Sequence, residues 1–453
     1  MSALAVRGVV EGFYGRPYTW EDRHRMVQFL GGCGANTYVY APKNDPLHRD
    51  RWQEPYLAEE WRRFAELAEA GAQVGVDVWF GLSPLGLRLT EDDDVAALRA
   101  KLAAADDAGL HRICLLVDDM PEDFASSGDA ERFSTLAAAH VHLVDLVRSF
   151  LRERGPDRRL WFVPLHYHGD PDDAYVREIG AGIDRDVPIM WTGPEVCSQF
   201  LTLEHTRQVA ASLRRPVLYW DNHPVNDGEM RHDPHLNALT GRDPRLGGTE
   251  TLGLLANVAI QPEASLIAVA TAMAYATDPA GYEADRAWWA ALHEVTGDER
   301  DARDVAALAD LARRTPLRRG DYRLDNRLAE PLRRCITGFE AAAGDRRKPL
   351  DEVGALLGEL AETADHLASG LRNVRLRRDL APWSAKLVHQ SRAARLALEV
   401  LRRAVDTGAG DAPGTVEVLD ALERARASFH WVAGDQLEVF ARWCLRQAEA
   451  MAS

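Results

Sequence analysis

Asp118 and Asp119 stand side by side at the end of an apolar run, Ile113-Cys-Leu-Leu-Val117. A short apolar run that stops abruptly at charge reads as a buried strand. Packing explains the apolar part. It does not explain the acids, because unpaired charge at the edge of a core is costly. In parallel α/β proteins the carboxyl ends of the strands are where ligands bind. Two carboxylates forced together there cannot both ionise freely, so one is expected to hold a proton near neutral pH. That supplies an acid and a base in one place. The plainer alternative is a strand end at which Asp caps the next helix or joins an ordinary salt bridge.

The elements that must position this pair alternate in type. Strand-like runs fall at Val6–Glu11, Asn36–Ala41, Asp77–Leu82, the run ending at Asp118, Leu160–Leu165, Pro188–Trp191, Val217–Trp220 and Leu252–Ala256. Helical periodicity fills the gaps, over Trp20–Gly31, Glu59–Gly75, Asp92–Gly109, Ser134–Arg154, His205–Arg214 and Ser265–Ala276. Roughly eight βα units in about 280 residues is the size of a (β/α)8 TIM barrel. A doubly wound sheet is the alternative, but it usually carries fewer strands, and the chain has no Gly-rich phosphate turn.

Beyond about residue 295 the strand-like runs vanish. Helical periodicity runs through Arg300–Arg314, Asn326–Ala343, Leu350–Arg372, Trp383–Val405 and Val416–Ala450. Breaks are expected at Thr315-Pro316, Gly344-Asp345, Ala381-Pro382 and across Gly408–Gly414. The organisation expected is therefore a catalytic α/β barrel over residues 1–290, followed by an all-α helical bundle over 291–453 with a junction near Gly281–Arg303.

In a barrel, the residues that follow the strands share one face. Here they read Glu11-Gly-Phe-Tyr-Gly-Arg-Pro17, Ala41-Pro-Lys-Asn-Asp45, Asp118-Asp119, Pro164-Leu-His-Tyr167, Trp191-Thr-Gly-Pro194, Trp220-Asp-Asn-His-Pro-Val-Asn-Asp227 and Asn257. Carboxylates, amides, one lysine and aromatic rings are the lining a sugar pocket needs: paired donors and acceptors for hydroxyls, and a flat wall for a pyranose face. Each has a plainer explanation. Gly12 and Gly15 permit a tight turn, Lys43 is a solvated loop charge, Tyr167 and Trp220 are core, and Asn222 and Asn226 are turn formers. His166, His168 and His223 lack the spacing of a metal-ligand motif.

Composition narrows the function classes. The 453 residues carry a formal net charge of −16, which argues against a nucleic-acid partner. No stretch has the length of a membrane span, and the N-terminus lacks the basic and apolar regions of a secretory signal, so a cytoplasmic location is expected. The five cysteines (Cys33, Cys114, Cys197, Cys335, Cys444) are scattered without CxxC spacing, as reduced thiols would be.

The blocks Val9-Val-Glu-Gly-Phe-Tyr-Gly-Arg-Pro17, Asn36-Thr-Tyr-Val-Tyr-Ala-Pro-Lys-Asn-Asp45, Leu115-Leu-Val-Asp-Asp-Met120, Trp191-Thr-Gly-Pro194 and Trp220-Asp-Asn-His-Pro-Val-Asn-Asp227 resemble glycoside hydrolase family 84 (GH84). This is the family of O-GlcNAcase and bacterial β-N-acetylglucosaminidases. The blocks come in family order across residues 6–275, and the region after them resembles the family's C-terminal helices in kind. The resemblance implies a barrel enzyme that removes terminal β-linked GlcNAc from a glycan or glycoprotein without a cofactor. It implies a retaining, substrate-assisted mechanism, in which the sugar's own 2-acetamido oxygen attacks the anomeric carbon and forms an oxazoline. By match, Asp118 would orient the acetamide and Asp119 would protonate the leaving oxygen and then activate water. Gly12, Lys43, Asp227 and Asn257 would hold hydroxyls. Tyr167 and Asn222 would contact the acetamide and the reacting centre, and Trp220 would wall the acetyl pocket. The chain departs from the family at Asn257-Val, where Asn-Pro is frequent, and at Pro164-Leu-His-Tyr167, where Pro-Thr-x-Tyr is common. The alternatives are a catalytically silent sugar-binding barrel, a retaining glycosidase with a carboxylate nucleophile, and a metal-dependent barrel enzyme.

Overall fold

The structure is a computed structural model that describes residues 3–312, 326–342, 345–408 and 414–451. The chain divides into two compact units, one of Met1–Gly228 with Ala238–Trp288 and the other of Glu229–Asn237 with Trp289–Ser453. The division falls inside the helix Ala284–Thr296.

In the first unit, hydrophobic runs form eight parallel strands: β1 (Val6–Glu11), β2 (Thr37–Tyr40), β3 (Asp77–Leu82), β4 (Arg112–Leu116), β5 (Arg159–Val163), β6 (Met190–Trp191), β7 (Val217–Asp221) and β8 (Thr251–Asn257). Their order in the sheet is β5-β4-β3-β2-β1-β8-β7-β6. An isolated parallel bridge between Phe162 and Ile189 draws the two ends together, giving a nearly closed (β/α)8 barrel. Parallel strands are covered on both faces, which is why they read as continuous apolar runs.

Side chains alternate along a strand, so every second residue fills the barrel interior. Val10, Val39, Ala41, Trp79, Cys114, Leu116, Trp161, Val163, Met190, Leu218, Trp220 and Leu255 pack there as one cluster. Trp79 stacks on Trp161 with ring centroids 3.4 Å apart. The same alternation carries on past the packed layers to the strand ends. Cys114 and Leu116 lead to Asp118, Ala41 leads to Lys43, Trp220 to Asn222, and Leu255 to Asn257.

The barrel helices begin at well-formed caps. Thr19 and Asp22 form a reciprocal capping box before the helix Trp20–Gly32. Thr135 and Thr202 accept backbone N–H groups at the starts of Leu136–Arg154 and Leu203–Leu213. The short helix Ser127–Arg132, capped by Ser126, has no counterpart in the apolar periodicity because it is too brief to show a full face.

The second unit contains only helices among the described residues: Glu299–Leu311, Ala329–Ala341, Arg347–Ser369, Val374–Thr407, Thr415–Arg426 and Gln436–Ala450, with the short 3-10 turn that ends at His232. Two expectations fail here. The break at Ala381-Pro382 does not occur: Pro382 lies inside the 34-residue helix Val374–Thr407. Proline removes one helix hydrogen bond, but Leu376, Leu380, Trp383 and Leu387 form a buried stripe that continues across it, and Trp383 Nε1 is held at 2.8 Å by the His232 carbonyl. The single helix expected over Val416–Ala450 is two helices, because Ser428, His430, Trp431 and Ala433 direct backbone or side-chain bonds out of helical register. The expected breaks at Thr315-Pro316, at Gly344 and across 409–413 lie outside the described residues. No helix among the described residues is long and apolar enough to cross a membrane.

Candidate active site

The nine residues singled out from sequence lie in three bonded groups at the carboxyl ends of the strands: Lys43 with Asp118; Asp119 with Tyr167 and, through Tyr14, with Asp227; and Gly12, Asn257, Asn222 and Trp220. Asp118 is 5% exposed and accepts a hydrogen bond at Oδ2 from Lys43 Nζ at 2.5 Å. Both side chains are buried, so this ion pair lies in a low-dielectric setting where losing either partner strands the other's charge. The other oxygen, Asp118 Oδ1, is buried and has no hydrogen-bond partner among the described residues.

Asp119 faces the open mouth. Its Oδ1 accepts from the Tyr167 hydroxyl at 2.8 Å and its Oδ2 from the Tyr14 hydroxyl at 2.9 Å. The Tyr14 backbone N–H donates to Asp227 Oδ2 at 2.7 Å. Behind these lies an amide layer. Asn257 Oδ1 accepts from the Gly12 N–H at 3.1 Å, and its Nδ2 donates to Asn222 Oδ1 at 2.9 Å. Asn222 Oδ1 also accepts from Trp220 Nε1 at 2.9 Å, and Asn222 Nδ2 donates to the Val196 carbonyl at 2.6 Å. Trp220 is 4% exposed and the Lys43 ammonium lies 5.9 Å from its ring centroid. Gly12 sits against the Trp220 ring, where an added Cβ would come within 2.2 Å of Cζ2.

The two adjacent acids have separate hydrogen-bond partners. By strand alternation Asp119 should face away from Asp118. Its backbone is instead in the left-handed region, at φ 52°, which turns its carboxylate to the mouth with partners of its own. Burial pushes the Asp119 carboxyl up. Lys43, the Tyr167 and Tyr14 hydroxyls and Arg49 outweigh burial and hold it below its ordinary value. Asp227 goes the other way: burial and the neighbouring Asp119 charge raise it, against the Tyr14 N–H and Lys43. The pocket thus holds two carboxylates, Asp119 and Asp227, shifted in opposite directions by their surroundings.

Sequence reasoning missed two participants. Tyr14 lay in view within the first strand-end block, but nothing in its spacing pointed it at Asp119. Arg49 lies beyond the block that ends at Asp45, and no local signal marks it. His166 bonds Asp173 at 2.9 Å, outside these groups. Among the described residues no three His, Cys, Asp or Glu side chains gather as a metal site would need.

Comparison with known proteins gives a consistent answer. The family model for beta-N-acetylglucosaminidase matches residues 7–310. The Protein O-GlcNAcase of Rattus norvegicus is 31% identical over 274 residues, which is 58% of this chain and 29% of that protein, and that of Mus musculus matches equally. The chain therefore spans under a third of the length of these relatives. Among solved structures, a mutant of the Thermobaculum terrenum O-GlcNAc hydrolase superposes with a TM-score of 0.87 at 26% identity, covering 99% of this chain and 96% of that one. CpGH84B superposes at 0.78 with 25% identity, covering 98% and 77%.

Proposed function

The chain belongs to the beta-N-acetylglucosaminidase family, and on that premise we propose that it is a retaining exo-β-N-acetylglucosaminidase working through an oxazoline formed by the substrate's own acetamide. The observation that carries this reading is Asp118. One of its oxygens is neutralised by Lys43, while Oδ1 is buried without a partner. An unsatisfied buried acceptor costs about 1–3 kcal/mol, which a donor arriving with the substrate recovers. The acetamido N–H is such a donor. Bonding it would polarise the amide and bring its oxygen in line with the anomeric carbon, a proximity effect worth up to about 7–11 kcal/mol in well-oriented cases.

Asp119 at the mouth would then protonate the leaving oxygen and, once the aglycone departs, activate water against the oxazoline. To donate a proton it must gain one first. A sugar covering the mouth excludes water from Asp119 and strengthens the burial that already pushes its carboxyl up. Trp220 would wall the acetyl group, Tyr167 and Asn222 would flank the reacting centre, and Gly12, Lys43, Asp227 and Asn257 would hold hydroxyls. The similarity to proteins named O-GlcNAcase and O-GlcNAc hydrolase supports O-GlcNAc on protein as the substrate class. All five cysteines are free thiols, which supports a reducing, cytoplasmic setting. Residues 1–290 would carry the chemistry and 291–453 the helical bundle.

The test compares an aryl β-N-acetylglucosaminide with the matching aryl β-glucoside, in the presence of a chelator, and then with the trifluoroacetamido sugar. Turnover restricted to the acetamido substrate, and falling at least tenfold when fluorine withdraws electrons from the acetamide oxygen, supports the proposal. Equal cleavage of the glucoside would point to an enzyme carboxylate as nucleophile. Tight binding of an oxazoline mimic without any turnover would point to a sugar-binding barrel.

A further inference from the structure

The left-handed backbone at Asp119 needs something to hold it. Strand alternation sends Cys114 and Leu116 inward, and continued past the end of β4 it would send Asp118 inward and Asp119 outward, but the two acids lie in the turn that follows. The positive φ turns Asp119 back to the mouth; outside glycine, Asp and Asn adopt that conformation most readily, at a small cost that neighbouring bonds can offset. Tyr14 and Tyr167 bond its carboxylate, and the group that bonds its backbone carbonyl is the Arg49 guanidinium. Nη2 donates to the Asp119 carbonyl at 2.7 Å, while Nη1 donates to Ser83 Oγ at 3.0 Å and lies 3.4 Å from the Asp118 carbonyl. Arg49 is 6% exposed, and among the described residues it forms no ion pair with any carboxylate. A buried cation normally finds an anionic partner; this one directs its hydrogen bonds to the backbone of the acid pair and acts on the Asp119 carboxylate by charge alone.

The loop that presents Arg49 is itself fixed to the end of β3. The Ser83 N–H donates to the His48 carbonyl at 3.0 Å, His48 Nδ1 bonds the Gly81 carbonyl at 2.9 Å, and Lys101 Nζ donates to the Leu47 carbonyl at 3.1 Å. One loop thus supplies two cations to the pair. Lys43 grips the Asp118 carboxylate from the pocket side, and Arg49 grips the peptide carbonyls from behind.

We infer that Arg49 is a positioning residue for the general acid: it locks the peptide after Asp118 so that Asp119 projects into the mouth. The inference rests on Asp119 being the acid, and its test separates the two ideas. Proton donation matters most when the leaving group is poor. A misplaced acid therefore hurts an alkyl or seryl aglycone far more than an activated aryl one.

The experiment measures kcat and KM of wild type, Arg49→Met and Arg49→Lys on a nitrophenyl and an alkyl β-N-acetylglucosaminide. Crystal structures of the variants read the backbone at Asp119. The expected result for Arg49→Met is a kcat loss at least tenfold larger on the alkyl substrate, with KM for the aryl substrate within threefold. Arg49→Lys, which keeps one N–H for the Asp119 carbonyl, should recover part of the difference. The structure of Arg49→Met, or of Arg49→Lys if the first does not fold, should show φ at Asp119 relaxing and its bonds to Tyr14 and Tyr167 lost or lengthened. Equal losses on both aglycones with an unmoved Asp119 would overturn the inference. If wild type turned over neither substrate, the proposed activity would fail, and the variant structures would still decide whether Arg49 holds the Asp119 peptide.

Discussion

Replacing Gly12 by alanine perturbs the site through one methyl group. The new Cβ would lie 2.2 Å from Trp220 Cζ2 and 2.5 Å from Cη2. Carbon atoms prefer about 3.5–4.0 Å, so the ring or the end of β1 must yield by more than about 1 Å. The ring has little freedom: it is 4% exposed, sits in the barrel cluster, and its Nε1 is bonded to Asn222. Moving it drags Asn222 and, through Asn222, the amide of Asn257, which also holds the Gly12 N–H. Overpacking of this kind costs about 1–3 kcal/mol of stability, or a fall of several degrees in Tm. A shift of about 1 Å in a positioning group can cost on the order of 10²-fold in rate. The assay is kcat/KM on an aryl β-N-acetylglucosaminide beside thermal unfolding, with Gly32→Ala as control, since nothing lies within 4 Å of a Cβ there. A Gly12→Ala protein with kcat/KM within threefold of wild type and unchanged Tm would refute the reasoning that the Trp220 ring against Gly12 cannot give way.

The pH dependence follows from Asp119, which lies below its ordinary value in the free protein and must be protonated to act as acid. Its protonated fraction falls as pH rises through its pKa, so the alkaline limb of kcat/KM should lie at lower pH than that of kcat; coincident limbs would contradict proton uptake on binding. Tyr14→Phe and Tyr167→Phe each remove a bond that lowers Asp119, so each should move the kcat/KM limb upward, as a pH profile would read. Asp118→Asn should both abolish turnover and lower Tm, because it leaves Lys43 buried without its counter-charge; breaking a buried pair costs about 3–5 kcal/mol, and restoring Tm in Asp118→Asn/Lys43→Met without restoring activity would identify the coupling. Pro382→Ala should raise Tm of the second unit, since proline costs up to about 3 kcal/mol relative to alanine in a helix interior; a lower Tm would mean that the packing around the long helix depends on the proline.

Much of this protein is written in its local pattern. Strand burial depends on runs of adjacent apolar residues, so the eight strands and their order could be read directly, and the period of two that fills the barrel also aims Lys43, Asp118, Asn222 and Asn257 at its mouth. What sequence could not supply are quantities set by residues far apart in the chain. Asp119 looks outward by alternation and faces inward only because of its backbone, with Arg49, 70 positions away, bonded to its carbonyl. The partners of the acid pair are likewise distant in the chain: Lys43 bonds Asp118, and Tyr14 and Tyr167 bond Asp119. The helix through Pro382 shows the same limit in packing: the proline's local penalty is visible in the sequence, and the buried stripe that overrides it exists only once the helices have met. Composition and periodicity report what a segment prefers by itself. Backbone re-aiming, charge pairing and tolerated strain come from contacts that form only when the tertiary structure closes.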